Sequence, residues 1–487
     1  MSKKNAFTTA ALAVLATAGG IAAGSTAAAQ TAPPPPPSVS TRWNGSPETR
    51  EEDRRFHVNG RFMYDVAATD ADCANAGCSG TNESGIRSYA RRAFLGVDGR
   101  LTEHWRYNVK FDFTFGNNGS TSVTIPGQTI VTDLNLDGDT LDPGESTVTT
   151  LPTTVSVPNN GTSVKADDLY LEYAGDNFSL FIGNHNAVVP MEDRDSSLNT
   201  PFNERSFLIT SAGFGKRPGI ALLTNGGNWS LGGALQSNDA LDSSDTASNG
   251  TESYFGIARG TWAPIYQQTP EGLTLLHLGL NARYRDNGDG NGNSLLAALG
   301  QYSPGGLSNR QSNNAGVGGA ESDTYLGGEI AFQYNSIGIE AEYGHLDATD
   351  TTVGSNAGAQ TGDASADGYY VDFFWSPTGE SRRYNAADGS FGAVAPLRTL
   401  GSDGGIGHVM LAARYESMDL SDAAFGSNRS ELTAYTVGAT WIPIQHVKFQ
   451  LNYSNTDIDY SSNNIVPDPA HIDNTISAVT LRTQFDW

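Results

Sequence analysis

The sequence predicts an all-β protein, a sixteen-stranded antiparallel transmembrane β-barrel. From residue 56 onward, stretches of about ten residues alternate between apolar and polar side chains and are separated by Gly, Asn, Asp and Ser turns. Aromatic residues gather at the ends of these stretches, as in the interfacial girdles of a membrane barrel. The polar faces include Lys and Arg, and short connections alternate with long ones, which favours a wet lumen over the interior of a soluble sandwich.

The alternation locates the individual strands. The stretch from Trp105 to Phe115 places aromatic residues and Val on one face and Arg, Asn, Lys, Asp and Thr on the other. The last stretch alternates in the same way and ends on Trp487. A single-chain bacterial barrel needs an even number of strands. We predict sixteen, at 56–66, 88–98, 103–115, 165–174, 177–183, 217–224, 228–236, 252–262, 273–285, 323–334, 336–346, 367–376, 407–418, 431–442, 445–458 and 475–487.

The connections between these strands fit one orientation. With a periplasmic N-terminus, the tight links at 99–100, 174–176, 225–227 and 335 lie on the periplasmic side. The extracellular side then receives the long segments, at 116–164, 184–216, 237–251, 286–322 and 347–366. Segment 377–406 departs from the pattern, because it is long and yet periplasmic.

The region before the barrel has two parts. Residues 1–29 have the form of a secretory signal, with Lys3 and Lys4, an apolar run over 10–23 and an Ala-Ala-Ala cleavage site before Gln30. Residues 30–55 form a Pro-rich and charged periplasmic lead-in, and residues 56–487 form the barrel. Export implies an oxidising compartment, in which Cys73 and Cys78 would form a small disulfide loop rather than a redox-active pair.

Charge and composition exclude several classes of function. The 29 basic and 53 acidic residues give a net charge of −24, which argues against nucleic acid as a partner. Past residue 24 no apolar run approaches the ~20 residues that a spanning helix needs. The sequence has no G-x-S-x-G, H-E-x-x-H or P-loop motif, so we expect neither enzymatic activity nor a required cofactor.

The strand pattern also predicts which charged side chains face the lumen. The basic set comprises Arg61, Arg106, Lys110, Arg283, Arg285, Arg414, Lys448 and Arg482. An acidic set shares the same face and comprises Asp65, Asp112, Asp168, Glu172, Glu329, Glu340, Glu342, Asp372 and Glu416. Both sets can line a pore, but each member can equally be a solvated wall residue with a local partner.

The long loop 116–164 contains a candidate calcium site. Asp133, Asn135, Asp137 and Asp139 place oxygen ligands at alternate positions, with a glycine at the sharp turn, as at the start of a calcium loop. An EF-hand would have Glu at the twelfth position, which here is Gly144. The alternative is a solvated acidic loop that binds no metal.

Several segments resemble the phosphate-selective porin O and P family of outer-membrane proteins. Residues 91–99 with 105–107, and residues 167–173, are similar to the family's second to fourth strands. Residues 183–192, 202–206 and 216–219 are similar to its third loop. The most specific match is Thr378-Gly379-Glu380-Ser381-Arg382-Arg383-Tyr384, and the resemblance continues to Trp487.

The resemblance implies a homotrimeric porin of the Gram-negative outer membrane, in contact with lipid and lipopolysaccharide, whose third loop folds into the lumen. It implies passive diffusion of small anionic solutes such as phosphate or polyphosphate, with selectivity set by pore radius and charge. Candidate anion contacts in or beside this loop are Arg194, Arg205, Lys216 and Arg217. The terminal aromatic Trp487 is the expected recognition signal for the barrel-assembly machinery.

Two departures from the family leave alternatives open. Asn186 stands where the family has a basic residue, and the acidic loop 116–164 would repel phosphate at low salt. The alternatives are a general or cation-preferring porin with an acidic mouth, and a loop-presenting adhesin or structural barrel.

Overall fold

The computed structural model describes residues 40–43, 46–73, 84–113, 120–133, 146–158, 164–237, 254–270, 272–286, 322–351, 362–401, 404–422, 430–460 and 472–487. Its two helices are α1 (Met191–Arg194) and α2 (Phe207–Ala212). The strands in chain order are β1 (Ser40–Trp43), β2 (Pro47–Glu51), β3 (Arg54–Cys73), β4 (Ser84–Arg100), β5 (Trp105–Asp112), β6 (Ser120–Asp133), β7 (Ser146–Pro158), β8 (Lys165–Ala174), β9 (Phe178–His185), β10 (Arg217–Asn225), β11 (Trp229–Ser237), β12 (Tyr254–Thr269), β13 (Gly272–Asp286), β14 (Ser322–Tyr334), β15 (Ile337–Thr351), β16 (Gly362–Trp375), β17 (Tyr384–Asn385), β18 (Ser390–Phe391), β19 (His408–Leu420), β20 (Ser430–Ile444), β21 (Val447–Tyr460) and β22 (Ile472–Asp486).

Sixteen of these strands form a closed antiparallel barrel, which confirms the predicted fold. They are β3 to β5, β8 to β16 and β19 to β22. The barrel closes where β22 pairs with β3, from Asn474 opposite Cys73 to Asp486 opposite Arg61. Closure gives the edge strands partners, as a β-structure within a bilayer requires.

The side chains of each barrel strand alternate between lipid and lumen. On β3, Phe62, Tyr64 and Val66 are 36–42% exposed on the outer face, whereas the intervening Met63 and Asp65 are fully buried. The outer face therefore carries apolar side chains, and the polar side chains point inward. The inner face is buried because chain segments fill much of the lumen.

The predicted strands differ from the observed ones mainly at their ends. β3 begins at Arg54, two residues before the predicted start, and continues to Cys73. The added residues at its far end include exposed Asp70, so the apolar alternation stops before the hydrogen bonding does. Within the predicted lead-in, β1 and β2 form a hairpin whose second strand pairs with the start of β3.

Two long connections contact the inner face of the barrel. Residues 186–216, between β9 and β10, form loop 3 and contain α1 and α2. Residues 376–401 and 404–407, between β16 and β19, contain the short β17–β18 hairpin, and we call them the periplasmic segment after the orientation predicted from the sequence. This position explains how a long connection can occur on the side of the short turns. No helix among the described residues is long and apolar enough to cross a membrane.

Apolar contacts pack loop 3 against one side of the barrel wall. Phe207, Leu208 and Phe214 of loop 3 belong to a buried cluster with Tyr325 of β14 and Tyr370 of β16. Helix α2 is short and is defined by its ends. Ser206 caps its N-terminus by accepting a hydrogen bond from the Ile209 N–H, and Gly213 ends it in the left-handed conformation at φ 62°.

Candidate pore and constriction

Loop 3 is also fixed to this side of the wall by charged side chains that the strands direct inward. Arg414 of β19 donates to Asp372 on the neighbouring β16 and to Glu192 of loop 3. Glu416 of β19 accepts from the Phe207 N–H at 2.6 Å. The bonds from the wall to Glu192 and Phe207 join residues that are more than two hundred positions apart in the sequence.

Most of the predicted acidic wall has a bonding partner. Glu342 accepts from the backbone N–H groups of Met191 and Glu192, at 3.1 and 2.7 Å, and so fixes the start of α1. Asp65 accepts two bonds from Arg482, at 2.8 and 2.7 Å. Carboxylates with such partners offer less free negative charge to a permeating ion than their number suggests.

The periplasmic segment is bonded to loop 3. Arg382 of the segment donates to Asp195 of loop 3 at 2.9 Å and also to Glu340 of the wall. Asp195 also accepts from the Phe391 N–H at 2.7 Å, and Arg194 donates to Asp388 at 2.7 Å. Burial raises the pKa of Asp195 to about 6, although the charge of Arg382 acts in the opposite direction.

A buried polar cluster attaches the periplasmic segment to the wall. His277 of β13 lies 2.6 Å from the Tyr384 hydroxyl and 3.2 Å from Glu329, which also binds Arg259 at 2.7 Å. The side chains of His277 and Glu329 are fully buried. A histidine with these neighbours is inaccessible to a solute, so the cluster has a structural role.

The open part of the lumen lies between loop 3 and the strands β3, β4, β5 and β8. Two cavities occupy it, an upper one of about 440 Å³ beside loop 3 and a lower one of about 350 Å³ toward the periplasm. Their linings share Arg61, Phe94, Lys110 and Tyr170. We call the two cavities together the route. We call the region lined by these four shared residues the constriction of the route.

Two arginines beside the constriction converge on one neutral hydroxyl. Arg61 of β3 and Arg92 of β4 each donate to the Oγ of Ser197 in loop 3, at 2.7 Å. Both guanidinium groups also lie near the Phe94 ring, 4.7 and 5.7 Å from its centre. Across the described parts of the chain, neither arginine has a carboxylate within salt-bridge distance. Two positive charges thus share a partner that carries none.

A β-bulge directs Arg92 and its neighbour Arg91 into the lumen together. Met63 of β3 pairs with Arg92 and Tyr64 pairs with Ala90, so Arg91 is the extra residue in β4. Arg91 makes two 2.8 Å bonds to Glu204 of loop 3. Strand parity alone does not predict both arginines on one face. The Arg-Arg doublet inside an otherwise alternating strand is the signal that could have revealed them.

A second bulge places two carboxylates beside the route. Lys110 pairs with Asp168 and Phe111 pairs with Ala166, so Asp167 is the extra residue in β8. Asp168 lies 2.7 Å from both Lys110 and Lys216, and Asp167 lies 2.6 Å from Lys216. These two lysines line the route, but the neighbouring aspartates neutralise their charge.

The remaining predicted candidates in loop 3 mainly hold the loop together. Arg205 donates to the carbonyl oxygens of Glu192, Asp193 and Asp195, at 3.1 Å each, and lines the upper cavity. Arg194 lines the same cavity while bonded to the periplasmic segment. Arg217 donates to the carbonyls of Gly213 and Phe214 at the end of α2.

The other predicted basic residues lie on the inner face at different positions. Arg106 lines the lower cavity, 3.5 Å from Glu172. Arg283 and Arg285 are buried and both bind Asp323. Away from the route, the structure also buries Arg414, Lys448 and Arg482.

Two predictions concern residues outside the described side chains. Cys78 lies outside the described residues and the side chain of Cys73 is not described, so the disulfide stays a prediction. The calcium site also stays a prediction. The side chain of Asp133, at the end of β6, is not described, and residues 135–139 lie outside the described ranges. In the ranges that are described, no group of three potential ligands could hold a metal ion.

The chain is similar to several known proteins. Porin O of Pseudomonas aeruginosa is 23% identical over 456 residues, which cover 88% of each chain. An uncharacterized protein of Caulobacter vibrioides is 26% identical over 433 residues, 85% of this chain and 71% of its own. The solved trimer form of OmpT, an outer membrane protein of Vibrio cholerae, matches 90% of this chain and 100% of its own at 7% identity and a TM-score of 0.48. A family model described as phosphate-selective porin O and P matches residues 56–487. Because this match spans the whole barrel, the chain belongs to the phosphate-selective porin O and P family and is a porin of the Gram-negative outer membrane.

Proposed function

We propose that this porin passes small anions, of the phosphate or polyphosphate class, by passive diffusion along the route. The observation that carries the proposal is the convergence of Arg61 and Arg92 on the Ser197 hydroxyl. A hydroxyl accepts from both guanidinium groups and keeps its own proton to donate. An anion entering here meets two positive charges and a hydroxyl donor.

Because these arginines lie at the constriction, we expect their positive charge to influence ion selectivity more than the negative charge of the acidic mouth does. A charge pair 4 Å apart at an effective dielectric near 20 is worth about 4 kcal/mol before desolvation. Charges in a wide, wet mouth are screened within ~8 Å at physiological salt. The narrow constriction should therefore set the selectivity, and the bonded carboxylates of the wall should contribute little.

The same proposal covers assembly and surroundings. We infer that the protein is a homotrimer surrounded by outer-membrane lipid and lipopolysaccharide. The reason is its membership of the phosphate-selective porin O and P family, which implies that assembly. The charged groups of the route need only bind and release an ion, so no bond is made or broken and no cofactor is required.

Reversal potentials of the purified channel in an asymmetric potassium chloride gradient test the proposal. We expect the wild type to prefer chloride and inorganic phosphate to reduce the chloride current. Arg61→Gln and Arg92→Gln should each shift the reversal potential toward potassium and weaken the block by phosphate.

Arg100→Gln is a matched control for Arg92→Gln, because it removes the same charge from the exposed end of the same strand. It should leave the reversal potential near the wild-type value. A wild-type channel that prefers potassium, with no change in Arg61→Gln or Arg92→Gln, would make the protein a general or cation-preferring porin.

A further inference from the structure

The end of the periplasmic segment leaves the lumen and follows the rim of the barrel. The Phe391 N–H still bonds to loop 3 inside the barrel. Farther along the chain, the Leu400 N–H donates to the Pro443 carbonyl, close to the end of β20, at 2.7 Å. We call residues 397–401 and 404–406 the rim stretch.

A tryptophan joins the rim stretch to the outer face of the barrel. Trp441 lies on the outer face of β20, on which Tyr435 and Val437 are also exposed. Its indole N–H donates to the Ile406 carbonyl at 2.8 Å, and its ring stacks on Phe449 with 5.5 Å between the ring centres. Tryptophan favours the interface between membrane and water. The rim stretch therefore contacts the outer face at the level of the periplasmic membrane interface.

The rim stretch exposes aliphatic side chains next to this tryptophan. Leu397, Leu400 and Ile406 are 65%, 50% and 58% exposed, and Ile444 of β20 is 45% exposed. Leu400 and Ile406 are both hydrogen-bonded through their backbones to the end of β20, so their side chains lie beside Ile444 and Trp441 in one apolar patch. Single apolar residues are common on protein surfaces, whereas a contiguous apolar patch indicates a contact.

The position and the size of this patch indicate what covers it. The patch continues the apolar outer face of the barrel, which lipid surrounds. A specific protein interface buries about 800 Å² on each partner, which is more than these few side chains offer. Lipid acyl chains need no such area, because they cover apolar side chains at the interface one by one.

We infer that the rim stretch inserts into the phospholipid leaflet on the periplasmic side of the outer membrane, with Leu400 and Ile406 among the acyl chains. This inference goes beyond the proposed function and does not depend on the ion selectivity of the channel. Earlier in the same segment, Arg382 and Phe391 are bonded to Asp195 of loop 3. One continuous segment thus runs from the membrane lipid to the loop that narrows the pore.

Photo-cross-linking in the native outer membrane tests this inference. The full-length chain carries the photoreactive amino acid benzoylphenylalanine in place of Leu400 or, separately, of Ile406. Leu411, which is 43% exposed on the outer face of β19, is the positive control. Ala395 is the matched negative control, because it is exposed on the same segment but lines a cavity of about 230 Å³ inside the barrel. Heat-modifiable mobility on gels checks that each variant is folded.

Mass spectrometry should detect phospholipid adducts at positions 400 and 406 at about the level of position 411. The yield should be about tenfold above that at position 395, because apolar side chains at the interface partition among the acyl chains. A phospholipid adduct at either rim position supports the inference. Adducts at position 411 but at neither 400 nor 406 overturn it. Cross-links to a second copy of the chain or to another protein, in place of lipid, also overturn it and make the patch a protein interface.

Discussion

At the scale of single residues, the sign of a charge in the lumen matters less than its partner. Lys110 and Arg61 both line the constriction. Lys110 lies 2.7 Å from Asp168, whereas Arg61 donates to the neutral Ser197. An ion in the route therefore meets a neutralised pair at one position and uncompensated charge at the other. Counting basic and acidic residues on the lumen face does not distinguish these cases.

Asp195 should make the selectivity depend on pH. Its carboxylate lines the upper cavity, and burial raises its pKa to about 6. Because the pKa is raised, the group loses its negative charge as the pH falls through about 6, before ordinary carboxyl groups do. We expect the reversal potential to shift toward anions between pH 7.5 and pH 5.

Asp195→Asn is the control for this prediction, because it replaces the titratable carboxyl group with an amide of the same shape that does not titrate. The variant should prefer anions more strongly than the wild type at pH 7.5 and change less on acidification. If it keeps the full wild-type shift, another group is responsible. The groups that face Asp195 are Arg382, the Phe391 N–H, Arg259 and Asp388.

At the scale of elements, regular strand pairing forms the barrel, and two β-bulges place charged side chains along the route. The bulges at Arg91 and Asp167 each turn two consecutive charged side chains into the lumen, where regular pairing would send one outward. Both bulges occur in strands that line the route. Charged side chains of the wall then hold the loop, and their partners include backbone groups of the loop.

Arg414 is the side chain whose loss should most weaken the attachment of loop 3. Arg414→Gln would leave the buried carboxylates of Asp372 and Glu192 without their shared cation. Removing one partner of a buried charge pair costs about 3–5 kcal/mol. We expect the free energy of unfolding in urea to fall by about this amount and the single-channel current to become noisier as loop 3 moves.

The exposed residue Arg398 of the periplasmic segment offers a control for the change in net charge. Arg398→Gln should leave the unfolding midpoint and the current unchanged. An Arg414→Gln variant with wild-type stability and a steady current would show that apolar packing alone holds loop 3.

The calcium prediction belongs to the hairpin of β6 and β7. These strands pair from Ser120 opposite Pro158 to Asp133 opposite Ser146, so the predicted ligands begin at the end of β6. If Asp133, Asn135, Asp137 and Asp139 bind calcium, the ion should slow cleavage of the connection by an external protease. Asp137→Asn should abolish this protection, and equal cleavage rates with calcium and with chelator would leave only a solvated loop.

At the scale of the whole molecule, the closing seam joins the two ends of the barrel chain. β22 pairs with β3, and beyond it Trp487 exchanges two backbone hydrogen bonds of 3.1 Å with Gly60. A Cβ at position 60 would lie 2.1 Å from the Trp487 ring, so only glycine leaves room for the indole. The C-terminal aromatic is thus part of the seam.

Trp487→Asp should prevent stable insertion into the outer membrane. The substitution places a charge on the outer face and removes the ring that packs on Gly60. We expect loss of the heat-modifiable trimer on gels and accumulation of periplasmic aggregate or fragments. Trp487→Phe, which keeps an aromatic ring, should insert normally, and a normal Trp487→Asp trimer would refute the assembly role.

The sequence by itself determined the barrel, because a strand between lipid and water must alternate with a period of two and that period is local. It therefore located all sixteen strands and the inner-face positions of residues such as Arg61 and Lys448. The tertiary structure alone decided which charged side chains lack a partner of opposite charge. Partners such as Arg414 and Glu192 are 222 residues apart, and no local pattern encodes their meeting. The bulge that turns Arg92 inward breaks the local period, so parity could not place it. Selectivity depends on these long-range pairings, whereas the fold depends on the local alternation.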